Sequence, residues 1–244
     1  RDATFMHLAE AESYLLEWLE SGKIECDSYA DIDVHNDQSL LSKYKLLILH
    51  AHPEYWSQRM MEYLKEYLDN GGNLMYLGAN GLHWKVVINT ELNILEVRKN
   101  NALHYFLTVA GGLWKDLDFS QSTLLGVRYD GRGAGTYHGF KVIDESHWVL
   151  KNTDLKNGDV FSENCDRCTG GSGHETDKIA ENSPEVKLIA KGTNPDNGGA
   201  DMIYYQRNGD GQVFSASSIT FTRTLMLDEL SSQITKNVIE EFTK

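Results

Sequence analysis

Apolar positions recur at helical spacing in the first stretch of the chain. Leu8, Ala11, Leu15, Leu16 and Leu19 share one side of a helix over residues 7–20, which Gly22 stops. Ile24-Glu25-Cys26 reads as a short strand, and Ser28-Tyr29-Ala30-Asp31 as the loop after it. Residues 44–50 form an almost unbroken apolar run, Leu46-Leu47-Ile48-Leu49, of the kind that fits a strand buried on both faces. A helix follows with Met60, Met61, Leu64, Tyr67 and Leu68 on one face, closed by Asn70-Gly71-Gly72 with glycine available for a left-handed cap. The next strand covers residues 73–77 and opens into Gly78-Ala79-Asn80-Gly81.

This alternation predicts an α/β fold: a parallel sheet, flavodoxin-like or class I glutamine amidotransferase-like, with helices on both faces. In such sheets functional groups gather beyond the carboxyl ends of the strands, which gives priority to loops 28–33, 50–57 and 78–84. Past residue 92 the pattern changes to short β-like runs at 94–97, 124–129, 148–150, 186–190, 202–205 and 213–216, separated by Gly/Asn/Asp-rich turns. Residues 158–177 read as loop, and a last helix covers 227–242. The expected organisation is one domain over residues 1–244, with long β-rich insertions in its second half.

At 244 residues the length allows one large domain or two small ones. The 41% hydrophobic and 24% charged content excludes collagen-like, coiled-coil and largely disordered chains. No apolar run approaches the roughly 20 residues of a membrane span. The net charge of −13 argues against nucleic acid or an anionic membrane as the main partner. Three cysteines are too few and too odd for a secreted disulfide scaffold. The chain opens at Arg1 without an initiator Met or signal region, so the expectation is a cytoplasmic protein and a piece of a longer chain.

Several signatures are absent. There is no Gly-x-Gly-x-x-Gly, no P-loop and no nucleophile elbow, so dinucleotide, phosphate-cradling and acyl-enzyme chemistry have no support. Cys165-Asp166-Arg167-Cys168 is a lone C-x-x-C with only His174 nearby, and a loop feature or disulfide is favoured over zinc. His52-Pro53-Glu54-Tyr55-Trp56-Ser57 places an imidazole, a carboxylate and a phenol directly after a buried strand; packing roles for the same side chains are equally ordinary. Glu96 and Arg98 alternate with apolar residues, as on a solvated strand face or in a structural ion pair. Gly173-His174-Glu175-Thr176-Asp177 sets two carboxylates around a glycine-rich turn.

Taken in order, these pieces resemble the C-terminal α/β domain of the large (beta) subunit of N,N-dimethylformamidase. The resemblance runs over about residues 10–220. It is carried by Asp31-Ile32-Asp33, His52-Pro53-Glu54-Tyr55-Trp56-Ser57, Gly71 to Gly81, Trp84, Glu96-Val97-Arg98, Gly111-Gly112-Leu113-Trp114-Lys115 and Gly173-His174-Glu175-Thr176-Asp177. It departs from the family pattern at Ala79, Leu82-His83, Lys99 and Lys115, and Ile94 stands where a histidine is usual. The resemblance implies hydrolysis of the amide bond of small formamides, with a mononuclear iron held by two tyrosines and a glutamate. Tyr29, Tyr55 and Glu96 are the matching metal ligands. Such hard, anionic oxygen donors suit trivalent iron, which would polarise the carbonyl and acidify a bound water. Glu175, His52 and His83 are the matching groups for moving the water proton to the departing amine. The resemblance also implies a small amide as substrate, a small partner subunit and a homo-oligomer. The competing expectation is a non-catalytic amidotransferase-like domain that binds carbohydrate or a protein.

Overall fold

The computed structural model describes residues 7–117 and 119–244. The amphipathic first helix is α1 (His7–Ser21), followed by a short α2 (Asp31–Asn36). The apolar run forms β1 (Leu46–Ala51), and the tail of the His-Pro-Glu-Tyr-Trp-Ser motif forms β2 (Tyr55–Ser57). Ser57 then caps α3 (Gln58–Asp69), its hydroxyl accepting from the Met60 amide at 3.3 Å. Gly71 leaves that helix at φ +89°, a region open to glycine at little cost, and the chain enters β3 (Asn73–Gly78). Two further strands, β4 (Trp84–Asn89) and β5 (Ile94–Val97), form a small second sheet with β2 in the order β2-β4-β5.

The main sheet has seven strands. β1 lies at its edge, parallel to β3, and β3 is parallel to the strand Gln212–Ser215. From there Asp201–Gln206, Lys187–Gly192, Phe140–Val142 and Val160–Phe161 follow, every pair antiparallel. The expected α/β class holds, but the sheet is mixed rather than parallel. The cause lies in the connections. β1 and β3 are joined through α3, long enough for a parallel crossover, whereas the turn between Gln206 and Gln212 allows only a hairpin.

Strand alternation sorts the two cores. Met75 and Leu77 of β3 face α1 and the closing helix Glu229–Phe242, together with Met202, Phe214 and Ile189. Leu74 and Tyr76 face α3, together with Ile203, Tyr205 and Val213. Helices therefore cover both faces, as the sequence implies. No helix among the described residues is long and apolar enough to cross a membrane.

Several short expectations change. Residues 122–125 form a helical turn and only Arg128–Tyr129 of the expected 124–129 run is strand, while the expected loop 158–177 contains two two-residue strands and the start of a third. Residues 148–150 form a 3-10 turn capped by His147, not a strand. Residues 24–26 form no strand: the Ile24 amide donates to the Leu19 carbonyl at 2.9 Å and its side chain packs on the core beside α1, while Glu25, Cys26, Asp27 and Ser28 stay exposed. One apolar side chain offsets too little of the ordering cost to fix an extra strand. Among the described residues no strand covers the outer edge of β1.

Candidate functional site

Three loops meet beyond the carboxyl ends of β1 and β3. β1 finishes at Ala51 in the left-handed region, φ 57°, which swings His52-Pro53-Glu54 across the sheet end. The loop after β3 is clipped to it by backbone: the Leu82 amide donates to the Pro53 carbonyl at 2.7 Å, and the His83 and Trp84 amides both donate to Glu54 at 2.9 Å. The third loop arrives from the second half. Gly173 donates to the Ser218 hydroxyl at 2.9 Å, and Asp177 donates to the Ser217 carbonyl at 2.9 Å.

Asp177 stands fully buried at the junction. Its Oδ1 accepts from the Asn80 amide at 2.7 Å and its Oδ2 from the Tyr76 hydroxyl at 2.9 Å. Tyr76 in turn accepts from the Gly81 amide at 2.8 Å, and a Cβ at position 81 would stand only 2.6 Å from that hydroxyl, so the loop closes on glycine alone. Burial pushes the Asp177 carboxyl up to about 7 despite these hydrogen bonds. Burial first, and then Asp177 itself, drive the Tyr76 phenol well above its ordinary value.

Glu175 faces the opening of this network. Its Oε2 accepts from the Asn80 side chain at 2.9 Å and lies 3.2 Å from His52 Nε2. The same His52 nitrogen is 3.7 Å from Glu54 Oε2, which places the imidazole between two carboxylates. His52 outweighs the effect of burial and holds Glu175 below the usual carboxylate range, so Glu175 is ionised at neutral pH. His83 is buried edge-on to Trp84 and Tyr129, with ring centroids 5.3 and 5.7 Å away. Burial, and then Lys115, push it down to about 4, so it is neutral near pH 7. His83 Nδ1 and Asn80 Oδ1 are buried without a hydrogen-bond partner among the described residues. Such atoms are costly to leave unpaired and suit a polar ligand or water.

Of the residues expected from sequence, the structure brings Glu175, His52 and His83 together. The other three each have partners of their own. Tyr55 is level with Trp84 in the small sheet, and its hydroxyl accepts from Lys99 Nζ at 3.0 Å, beside the cluster. Val97 pairs with Val86 and Val86 with Ser57, so alternation puts Glu96 on the opposite face from Tyr55. Glu96 is buried and engaged, accepting from Arg98 Nε at 2.6 Å and from the Tyr105 and Phe106 amides at 2.8 and 3.3 Å. Burial alone would raise its carboxyl, but the two amides and the guanidinium hold it below the usual range. The Tyr29 hydroxyl lies 2.6 Å from that of Tyr44, which donates to Asp27 at 2.6 Å. As arranged, these three groups have separate partners and do not fit a shared iron centre. No group of three or more His, Cys, Asp or Glu among the described residues is placed to hold a metal. Cys165 and Cys168 are joined as a disulfide.

Asp177, Asn80 and Glu54 stood inside the sequence motifs without a role. Only the placement of Asp177, 97 residues from Asn80, reveals their connection.

Among solved structures, a ThuA-like protein of Bacteroides uniformis matches with TM-score 0.54 and 13% identity, covering 99% of this chain and 87% of its own. The mmIFT52 N-terminal domain matches with TM-score 0.50 and 16% identity, covering 96% and 90%. These likenesses show the fold. Two N,N-dimethylformamidase beta subunits, from an Alcaligenes species and from Paracoccus aminophilus, are each 26% identical over 96% of this chain. The chain spans 37% of the length of these relatives. Since residues 1–236 match the C-terminal part described as N,N-dimethylformamidase beta subunit-like, the chain belongs to that family.

Proposed function

We propose that this chain carries the proton-handling centre of an amide hydrolase acting on small formamides. The observation that supports the reading best is His52, held between Glu54 and Glu175 at the carboxyl edge of the sheet, in a chain whose relatives are named dimethylformamidase subunits. The Gly78-Ala79-Asn80-Gly81 loop at the end of β3 carries no Ser or Cys nucleophile, so water is the attacking group.

The water oxygen bonds to the carbonyl carbon while its proton passes to the His52 imidazole. The carbon–nitrogen bond then breaks, and His52 returns that proton to the departing amine. Glu175, ionised and tied by Asn80, orients the imidazole and stabilises it when protonated. His83, neutral and with a buried unpaired nitrogen, is suited to hydrogen-bond the substrate or the water. Asp177 keeps the Asn80 and Gly81 turn in place through its own hydrogen bonds and those of Tyr76. The beta-subunit name of the relatives adds a partner subunit to the proposal.

The test is formate release from N,N-dimethylformamide by the intact protein. The parent is expected to release formate, and His52→Asn to do so at least about a hundredfold more slowly while folding normally. Equal turnover by the two would overturn the reading.

A further inference from the structure

A cavity of about 810 Å³ runs along the uncovered edge of β1, between α1 and residues 24–31, and His52 and Pro53 form part of its wall. It exists because residues 24–26 leave the edge of β1 unpaired. Pockets of roughly 300–1,000 Å³ hold drug-sized molecules, so dimethylformamide would fill only a small part of this one. Leu15, Leu19, Ile24, Leu46 and Ile48 supply an apolar wall. The charged part of the lining is mostly acidic. Glu12, Glu25, Asp27 and Asp31 border the cavity, and the facing cation, Lys45, is occupied by the Thr243 and Lys244 carbonyls at 3.1 and 2.9 Å. Among the described residues no salt bridge neutralises Glu12, Glu25 or Asp31. His50, which also lines the cavity, has its Nδ1 buried without a hydrogen-bond partner among the described residues.

We propose that this cavity is the pocket for one arm of the substrate, and that it takes an aliphatic chain ending in a protonated amine. The inference rests on the hydrolase reading for the reaction, but the pocket itself is a separate claim. Apolar walls favour the methylene chain, and unpaired carboxylates favour the ammonium group. The net charge of −13 adds a long-range attraction for cations.

Two matched probes that cannot be hydrolysed, hexylamine and 1-hexanol, separate the claims. Calorimetry on the intact protein at pH 7 is expected to show the amine binding at least about tenfold more tightly than the alcohol. The Glu12→Gln/Glu25→Gln pair changes only exposed side chains and is expected to bring the ratio close to one. Equal binding of the probes by the parent, or an unchanged ratio in the pair, would overturn the pocket. In parallel, kcat/KM for N-(6-aminohexyl)formamide is expected to exceed that for N-heptylformamide by a similar factor. Amine binding without hydrolysis of any formamide would sink the hydrolase reading and leave the pocket standing; hydrolysis of both formamides with equal kcat/KM would sink the pocket alone.

Discussion

Two carboxylates, the buried Glu96 and the half-buried Glu175, are treated in opposite ways. Glu96 is saturated: a guanidinium and two backbone amides meet it, and it fastens the loop after β5 to the small sheet. Glu175 faces an imidazole that it shares with Glu54, and the atoms around it include the unpaired His83 Nδ1 and Asn80 Oδ1. A polar group whose bonding capacity is filled by its own chain stabilises that chain. A cluster that leaves buried donors or acceptors unfilled, and shifts its members in opposite directions, is arranged for a molecule that arrives later. His83 pushed down, Asp177 pushed up and Glu175 pushed down within one small region is such a pattern.

The comparison breaks most readily at His52. Its replacement by Asn is expected to give the largest loss, about a hundredfold or more in formate release, with little change in unfolding midpoint. Glu96→Gln is expected to show the reverse. It weakens the contact with Arg98 and lowers the thermal midpoint by roughly 5 °C, while turnover per folded molecule stays within about threefold.

A pH experiment gives the next effect. Burial pushes His50 from its ordinary 6.5 down to about 4. Below about pH 6.5 the unfolded chain therefore binds the proton first. Stability from this group is complete above that pH and falls as the pH drops towards 4. His50→Leu is expected to remove on the order of 2–3 kcal/mol of that decline, read from urea unfolding at pH 7 and pH 4.5. Asp177, raised from 3.8 to about 7, works in the other direction, losing stability as the pH rises through that window. The smallest effect is expected at Lys99, whose Nζ lies over the Tyr55 and Trp84 rings at 5.3 and 4.9 Å. Lys99→Met is expected to change KM by less than about threefold, because exposed cation–π contacts contribute little.

Much of this contrast was legible in the chain before its fold was known. The apolar run through Leu49 followed by His52-Pro53 placed an imidazole at a strand end, and the alternation of helices and strands implied helices on both faces of one sheet, as the two cores show. Glu96 beside Arg98 on an alternating strand was readable as a structural ion pair, which is the pairing found. The order of strands in the second half was not readable, because periodicity reports which face a residue takes and not which neighbour its strand takes. The Asp177 network was also hidden, since its link to Tyr76 spans 101 residues of chain. Tyr29 was matched to a metal ligand by resemblance and by its expected place in a loop at the carboxyl edge of the sheet. Here its loop leaves the strand edge and its hydroxyl pairs with Tyr44, a departure that also opens the cavity beside β1.

The most direct measurement puts the two carboxylates side by side: Glu175→Gln and Glu96→Gln, each assayed for formate release and for thermal unfolding in one buffer at pH 7. The account predicts that Glu175→Gln loses at least about tenfold in kcat and keeps its unfolding midpoint, whereas Glu96→Gln keeps its kcat and unfolds earlier. If the two variants exchange these phenotypes, or both change only in stability, the assignment of the chemistry to the His52–Glu175 cluster is contradicted.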